Sequence, residues 1–186
     1  QTTLPGAIGL ERHQRFMVSE QAVEQASAQS YEQLVSTGRA QGAINADPAL
    51  LARVRTIANR LIPQVAVFRP DAVNWNWEIN VMTTPEVNAW CMAGGKIMVY
   101  SGLVDKLHLS DAELAAVLGH EIGHALREHT REKVSNALGT QLLLAGVAAA
   151  TNASDNTMQL ANVVSQVTFT LPNSREMETE ADHIGL

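Results

Sequence analysis

The sequence of 186 residues predicts an α+β fold, mainly helical with a small antiparallel sheet. Three observations carry that prediction. A capping box followed by apolar residues at helical spacing occupies 110–126, the stretch 76–82 alternates apolar and polar side chains while 96–102 reads as another strand, and two further helical patterns precede them. With 46% hydrophobic residues the chain can bury a substantial core. It reads as one domain over 1–186, with an N-terminal helical part over 1–70 and the chemistry over 71–186.

The first helix is read over 19–36, rich in Gln, Glu and Ala, with a stripe at Val23, Ala26, Ser30 and Leu34. Asp47-Pro48, a cap followed by proline in the first turn, starts a second helix that runs to about Ile62 before Pro63. Asn76 to Met82 alternates like a half-buried strand, and Lys96 to Gly102 reads as another. Between them Asn88 to Met92 can form an edge strand. The alternative is that Asn88 caps a turn, and Trp90 reads as a core residue either way.

Ser110-Asp111-Ala112-Glu113 is the capping box, and Leu114, Val117, Leu118, Ile122, Ala125 and Leu126 follow it at helical spacing. On another side of the same helix stands His120-Glu121-Ile122-Gly123-His124. Two imidazoles four residues apart lie about 40° from eclipsed on a helix, so both can reach one ion. Glu121 projects about 100° from His120, where a carboxylate can reach a metal-bound water without ligating the metal. The pattern points to zinc-assisted hydrolysis, against the plainer alternative of a solvated helix face. Gly119 and Gly123 each cost about 1 kcal/mol relative to Ala in a helix interior. They predict close approach of a backbone strand, or easier helix packing.

Catalytic zinc usually takes three protein ligands and a water. The H-E-x-x-H-x-x-G-x-x-H arrangement would need Gly at 127 and His at 130, where this chain has Arg127 and Thr130. His129 is one place out of register, on another face if the helix continues, and reads as a surface histidine or one that supports a ligand. The better candidate is downstream. Asn173 or Ser174 can cap a helix after Pro172, which puts Glu178 and Asp182 on one face. Glu178 is the candidate third ligand, and Asp182 the partner that fixes the tautomer of a ligating histidine. Glu176 and Glu180 lie on other faces and read as acidic surface.

These residues resemble the zinc metallopeptidase family of HtpX, the CAAX prenyl protease and the periplasmic BepA- and LoiP-like proteases. The resemblance rests on His120-Glu121-Ile122-Gly123-His124-Ala125-Leu126, on Arg175 and Glu178-x-x-Ala181-Asp182, and on Asn88-Ala89-Trp90 followed by Gly94-Gly95-Lys96-Ile97. It implies a zincin-like domain of gluzincin type, with one zinc ion on His120, His124 and Glu178, Glu121 as general base, and endopeptidase activity on unfolded or misassembled protein. It further implies that the edge strand Asn88, Ala89, Trp90 flanks the active-site helix and pairs with an extended substrate. A donor for the developing oxyanion is also required, for which Arg175, Tyr100 and His183 are candidates, with Arg175 placed in the catalytic set. The implied setting is protein quality control in the periplasm or at the outer membrane of a Gram-negative bacterium. The rival reading is a non-catalytic zinc-binding or chaperone-like domain, which four closed protein ligands would mark.

The remaining chain sets limits. A net charge of -6 offers no polycationic footprint for nucleic acid. The single cysteine, Cys91, excludes an internal disulfide and reads as a small buried hydrophobe rather than a regulatory thiol. No secretory signal is visible at Gln1, as would also hold for a processed chain. Leu142 to Ala150 is apolar but short of the roughly 20 residues needed to span a bilayer. It predicts a buried helix, with peripheral contact to lipid or a hydrophobic substrate as the alternative. Asn152 to Thr157 reads as a polar connector, and Val163 to Leu171 as helix or as loop over the cleft. Leu186 comes two turns after Glu178, where an amphipathic helix would normally continue. The expectation is a longer natural protein trimmed at this end, with self-cleavage as one route.

Overall fold

The structure, a computed structural model, describes residues 2–9, 12–145 and 157–186. Its helices are α1 (Glu20–Ala40), α2 (Pro48–Leu61), α3 (Ser101–Leu107), α4 (Asp111–Leu126), α5 (His129–Ala145), α6 (Thr157–Thr170) and α7 (Arg175–Gly185), and its strands β1 (Glu78–Met82), β2 (Ala89–Met92) and β3 (Lys96–Tyr100). Two short 3-10 segments, Ile62–Val67 and Pro70–Asn74, join α2 to β1. The fold is α+β and mainly helical around a three-stranded sheet.

Local chemistry explains the helix starts. Ser19 caps α1 by accepting from the backbone of Ala22, and Asp47 caps α2 by accepting from Ala49 and Leu50, with Pro48 at the first position. Ser110 and Glu113 form the reciprocal capping box at α4. Val163 to Leu171, readable as helix or loop, lies mostly in α6, which buries Leu160, Ala161, Val164 and Val167.

The sheet is mixed, not antiparallel. Its order is β1-β3-β2, with β1 parallel to β3 and β2 antiparallel to β3. Ala93-Gly94-Gly95 closes β2 tightly onto β3, with φ of 78° and 82° at the two glycines, a region open to them for want of a Cβ. The longer connection 83–88 leaves room for β3 to insert between its predecessors. All five residues of β3 are buried, as a central strand covered on both faces requires. β2 is an edge strand.

Alternation along the strands divides the core. Ile79, Val81, Ala89, Cys91, Ile97 and Val99 pack with Leu50, Val54, Leu114, Leu118 and Ile122 of α2 and α4. Trp90, Met92, Met98 and Tyr100 pack on the other face with Tyr31 and Val35 of α1 and Val164 of α6. Burying each large apolar side chain contributes about 1.5–3 kcal/mol, so α4 is anchored along its whole length. The apolar stretch 142–150 ends α5 in part, while 146–150 and most of the polar connector lie outside the described residues. Among the described residues no helix is long and apolar enough to cross a membrane.

Candidate metal centre

His120 and His124 leave the same face of α4, and their Nε2 atoms stand 3.0 Å apart with the rings at 78°. The second contribution comes from α7, whose start is fixed by Ser174 accepting from the backbone of Met177. Glu178, one turn in, brings Oε2 to 3.1 Å from His120 Nε2 and Oε1 to 3.4 Å from His124 Nε2. The ligand atoms of these three residues all lie within 4.8 Å of one another, so together they can hold a metal ion. Asp182, a turn further on, places Oδ1 2.8 Å from His120 Nδ1.

Small residues let α7 come this close. A Cβ on Gly119 would lie 2.8 Å from the carbonyl oxygen of Gly185, and one on Gly123 2.9 Å from that of Ala181. The glycines therefore admit a helix, not a strand. The approach sets Glu178 over the histidine pair.

Behind His124 lies a buried polar chain. His124 Nδ1 is 2.7 Å from His129 Nδ1, and His129 Nε2 is 2.8 Å from Glu180 Oε2. Glu180 also accepts from Arg127 at 2.7 Å and from Arg12 at 2.9 and 3.1 Å. His129 reaches His124 because α4 does not continue. It ends at Leu126, Glu128 adopts a left-handed conformation with φ 54°, and α5 begins at His129. That turn swings the ring back under α4, and Arg69 and Arg131 hold the Glu128 carboxylate at 2.8 and 2.7 Å. Glu180 is 2% exposed, so its reading as acidic surface is wrong; Glu176 is on the surface as expected.

Burial dominates the electrostatics. It pushes His124 down to about 3, helped by the neighbouring His129 and His120, and it lowers His129 despite the opposing pull of Glu180. Both rings are neutral at pH 7. Burial alone would raise Glu180, but hydrogen bonds from His129, Arg12 and Arg127 outweigh it and hold the carboxyl well below its usual range. Glu121 lies beside His120 on an open cleft of about 310 Å³ that Ala116, Val117 and Asp182 also line. Burial pushes its carboxyl up to about 7, with His120 opposing and Glu178 adding to the rise.

Residues 48–186, which hold every member of this cluster except Arg12, match the description of peptidase family M48. The chain belongs to peptidase family M48. It is 41% identical over 114 residues to the mitochondrial metalloendopeptidase OMA1 of Arabidopsis thaliana, a match covering 60% of this chain and 22% of that protein. It is 34% identical over 142 residues to the metalloprotease LoiP of Escherichia coli, covering 76% of this chain and 52% of LoiP, and 33% identical over 103 residues to the E. coli metalloprotease YcaL, covering 55% and 40%. The matches thus span about a fifth to a half of these relatives.

In this M48 domain the other sequence-derived candidates divide. Asn88 is half-buried and its carbonyl accepts from the backbone of Tyr100, whereas Ala89 and Trp90 are buried. The Trp90 ring packs edge-on against Tyr31 and Phe169 at 5.8 and 5.3 Å. Tyr100 is committed to the core, its hydroxyl accepting from Trp90 Nε1 at 3.3 Å. Arg175 is the exposed first residue of α7, and His183 is exposed near its end. Cys91 is buried, as expected, and burial pushes its thiol up. Asn173, read only as a possible cap, instead donates to Glu178 Oε1 at 2.7 Å and lies 3.4 Å from His124 Nε2. Lys133 in turn donates to Asn173 Oδ1 at 3.1 Å.

Proposed function

We propose that the chain is a zinc-dependent endopeptidase that cleaves extended, unfolded or misassembled protein, with His120, His124 and Glu178 as ligands of one zinc ion. The observation that carries this reading is the spacing of the three ligand atoms. Four-coordinate zinc with arms of about 2.0–2.1 Å has ligand atoms roughly 3.3 Å apart. The two Nε2 atoms here are 3.0 Å apart, and Glu178 meets them with different oxygens, Oε2 at 3.1 Å from His120 and Oε1 at 3.4 Å from His124, so its carboxylate straddles the place the ion would take. The donor set, two imidazoles and a carboxylate, suits zinc.

When bound, zinc supplies a Lewis acid for the scissile carbonyl and an acidified water. Glu121, with its carboxyl near 7 and open to the cleft, accepts the proton from water and returns it to the leaving amine. Asp182 orients His120. Asn88, Ala89 and Trp90 offer main-chain pairing at the β2 edge, and because the Ala89 and Trp90 side chains are buried, they confer little side-chain selectivity. Arg175, one turn before Glu178, is the cation proposed for the developing oxyanion. The cleft beside His120 and Glu121 favours this over a closed, purely structural zinc site. Placement in a bacterial envelope is part of the proposal; the OMA1 relatives are mitochondrial by name.

Casein digestion by the zinc-loaded chain, by the chelated chain and by Glu121→Gln tests the reading. Cleavage should stop on chelation, return with zinc, and fall about 10²- to 10⁴-fold in Glu121→Gln while zinc stays bound. Undiminished cleavage by Glu121→Gln would refute the role of that residue, and tight zinc without cleavage would favour the client-binding alternative.

A further inference from the structure

We propose that His129 and Glu180 form a buried positioning relay that dictates which nitrogen of His124 carries its proton, and so leaves the Nε2 lone pair free for the metal. The inference rests on the metal-centre reading above and deepens it.

The argument is a count of protons along three contacts. Glu180 accepts from Arg127 through Oε1 and from Arg12 through both oxygens, so it is a carboxylate with no proton to give. Its neighbour at 2.8 Å, His129 Nε2, must therefore donate. A neutral imidazole has one N–H, which leaves His129 Nδ1 as a lone pair. His124 Nδ1 stands 2.7 Å from that lone pair and must carry the His124 proton. Nε2 of His124 is then bare, and it is the atom that faces His120 Nε2 and Glu178.

This is the reverse of the tautomer that a free neutral histidine prefers, in which Nε2 holds the proton. His120 reaches the same state by a shorter route, through the exposed carboxylate of Asp182 at 2.8 Å. The two ligands thus have independent orienting partners. The one behind His124 is sealed, since His129, Glu180 and Arg127 are each 2% exposed or less. It is also assembled from three separate parts of the chain: Arg12 before α1, Arg127 and His129 at the α4–α5 turn, and Glu180 on α7.

Glu180→Gln tests the relay at nearly unchanged side-chain size. With the amide oxygen in the Oε1 place, where Arg127 and Arg12 Nε donate, the NH2 faces His129 Nε2, and Arg12 Nη2 gives up its contact. His129 then carries its proton on Nδ1, and His124 is forced into the Nε2–H form. In the metal-free full chain, long-range ¹H–¹⁵N correlation spectra should show His124 protonated at Nδ1 in the wild type and at Nε2 in Glu180→Gln, with His120 unchanged. Zinc affinity, from competition with a chromophoric chelator, should fall about 10- to 100-fold. His129→Gln, which keeps an acceptor and a donor, should retain more affinity than His129→Leu, and this pair carries the test if Glu180→Gln does not fold. A wild type that takes up no zinc overturns the metal centre together with the relay's purpose. Tight wild-type binding with equal affinity and an unchanged His124 proton in Glu180→Gln overturns the relay alone, as does equal zinc affinity in the two His129 variants.

Discussion

Asp182 Oδ1 lies 2.8 Å from His120 Nδ1, on the side of the ring away from His124, and its side chain is 59% exposed. A carboxylate there fixes a ring without supporting the core. Asp182→Ala is expected to weaken zinc binding about 10- to 100-fold, read by chelator competition. Its unfolding free energy in the metal-free state, from urea denaturation, should stay within about 0.5 kcal/mol of wild type, as for an exposed position.

Gly123→Ala should do the opposite. The added Cβ meets the Ala181 carbonyl oxygen at 2.9 Å and Ile184 Cβ at 3.3 Å, both on α7. Relieving that overlap means displacing α7, at a cost of about 1–3 kcal/mol by urea denaturation. Since Glu178 rides on α7, zinc affinity should fall in the same variant.

Acid should destabilise the metal-free chain in two stages. His124 and His129 have folded-state pKa values below the unfolded value of about 6.5. As pH drops below about 6.5 the unfolded chain takes up protons that the folded one refuses, so stability falls by up to about 1.4 kcal/mol per pH unit for each ring. Glu180 and Glu132 are depressed: burial would raise both, but it is outweighed at Glu180 by His129, Arg12 and Arg127 and at Glu132 by Arg12 and Gln14. Their contribution is present above about 4.3 and is lost as pH falls below it. Urea midpoints from pH 8 to 3.5 on chelated protein check both stages.

Ser110→Ala separates helix stability from site chemistry. Ser110 accepts from the backbone of Glu113, while Glu113 accepts from the Ser110 backbone at 2.8 Å. Losing the cap should cost about 1 kcal/mol. Zinc affinity should not change, because the cap is nearly three turns from His120.

What could be read from the sequence was local. Capping at Asp47, Ser110 and Ser174, and the spacing of His120, His124, Glu178 and Asp182, all lie within single helices, where side chain and backbone signal over three or four residues. Strand order was not legible, since inserting β3 between β1 and β2 depends on pairing across the sheet. His129 was legible only as one of two alternatives, a surface histidine or one that supports a ligand, and the structure shows the second; the left-handed turn at Glu128 that brings it under α4 has no glycine or asparagine to announce it and is secured by Arg69, some sixty positions earlier. Glu180 did leave a trace. Met177 and Ala181 mark the buried side of α7, and a residue three after the first and one before the second shares it.

His129 and Glu180 are 51 positions apart, and His120 and Asp182 are 62 apart. A ribosome delivers the chain from its N-terminus, so the histidine pair emerges well before Glu180, Asp182 and the candidate third ligand Glu178. On the proposed reading, the peptidase site is completed only once α7 has been made, and until then the nascent molecule would lack the means to attack itself or its neighbours.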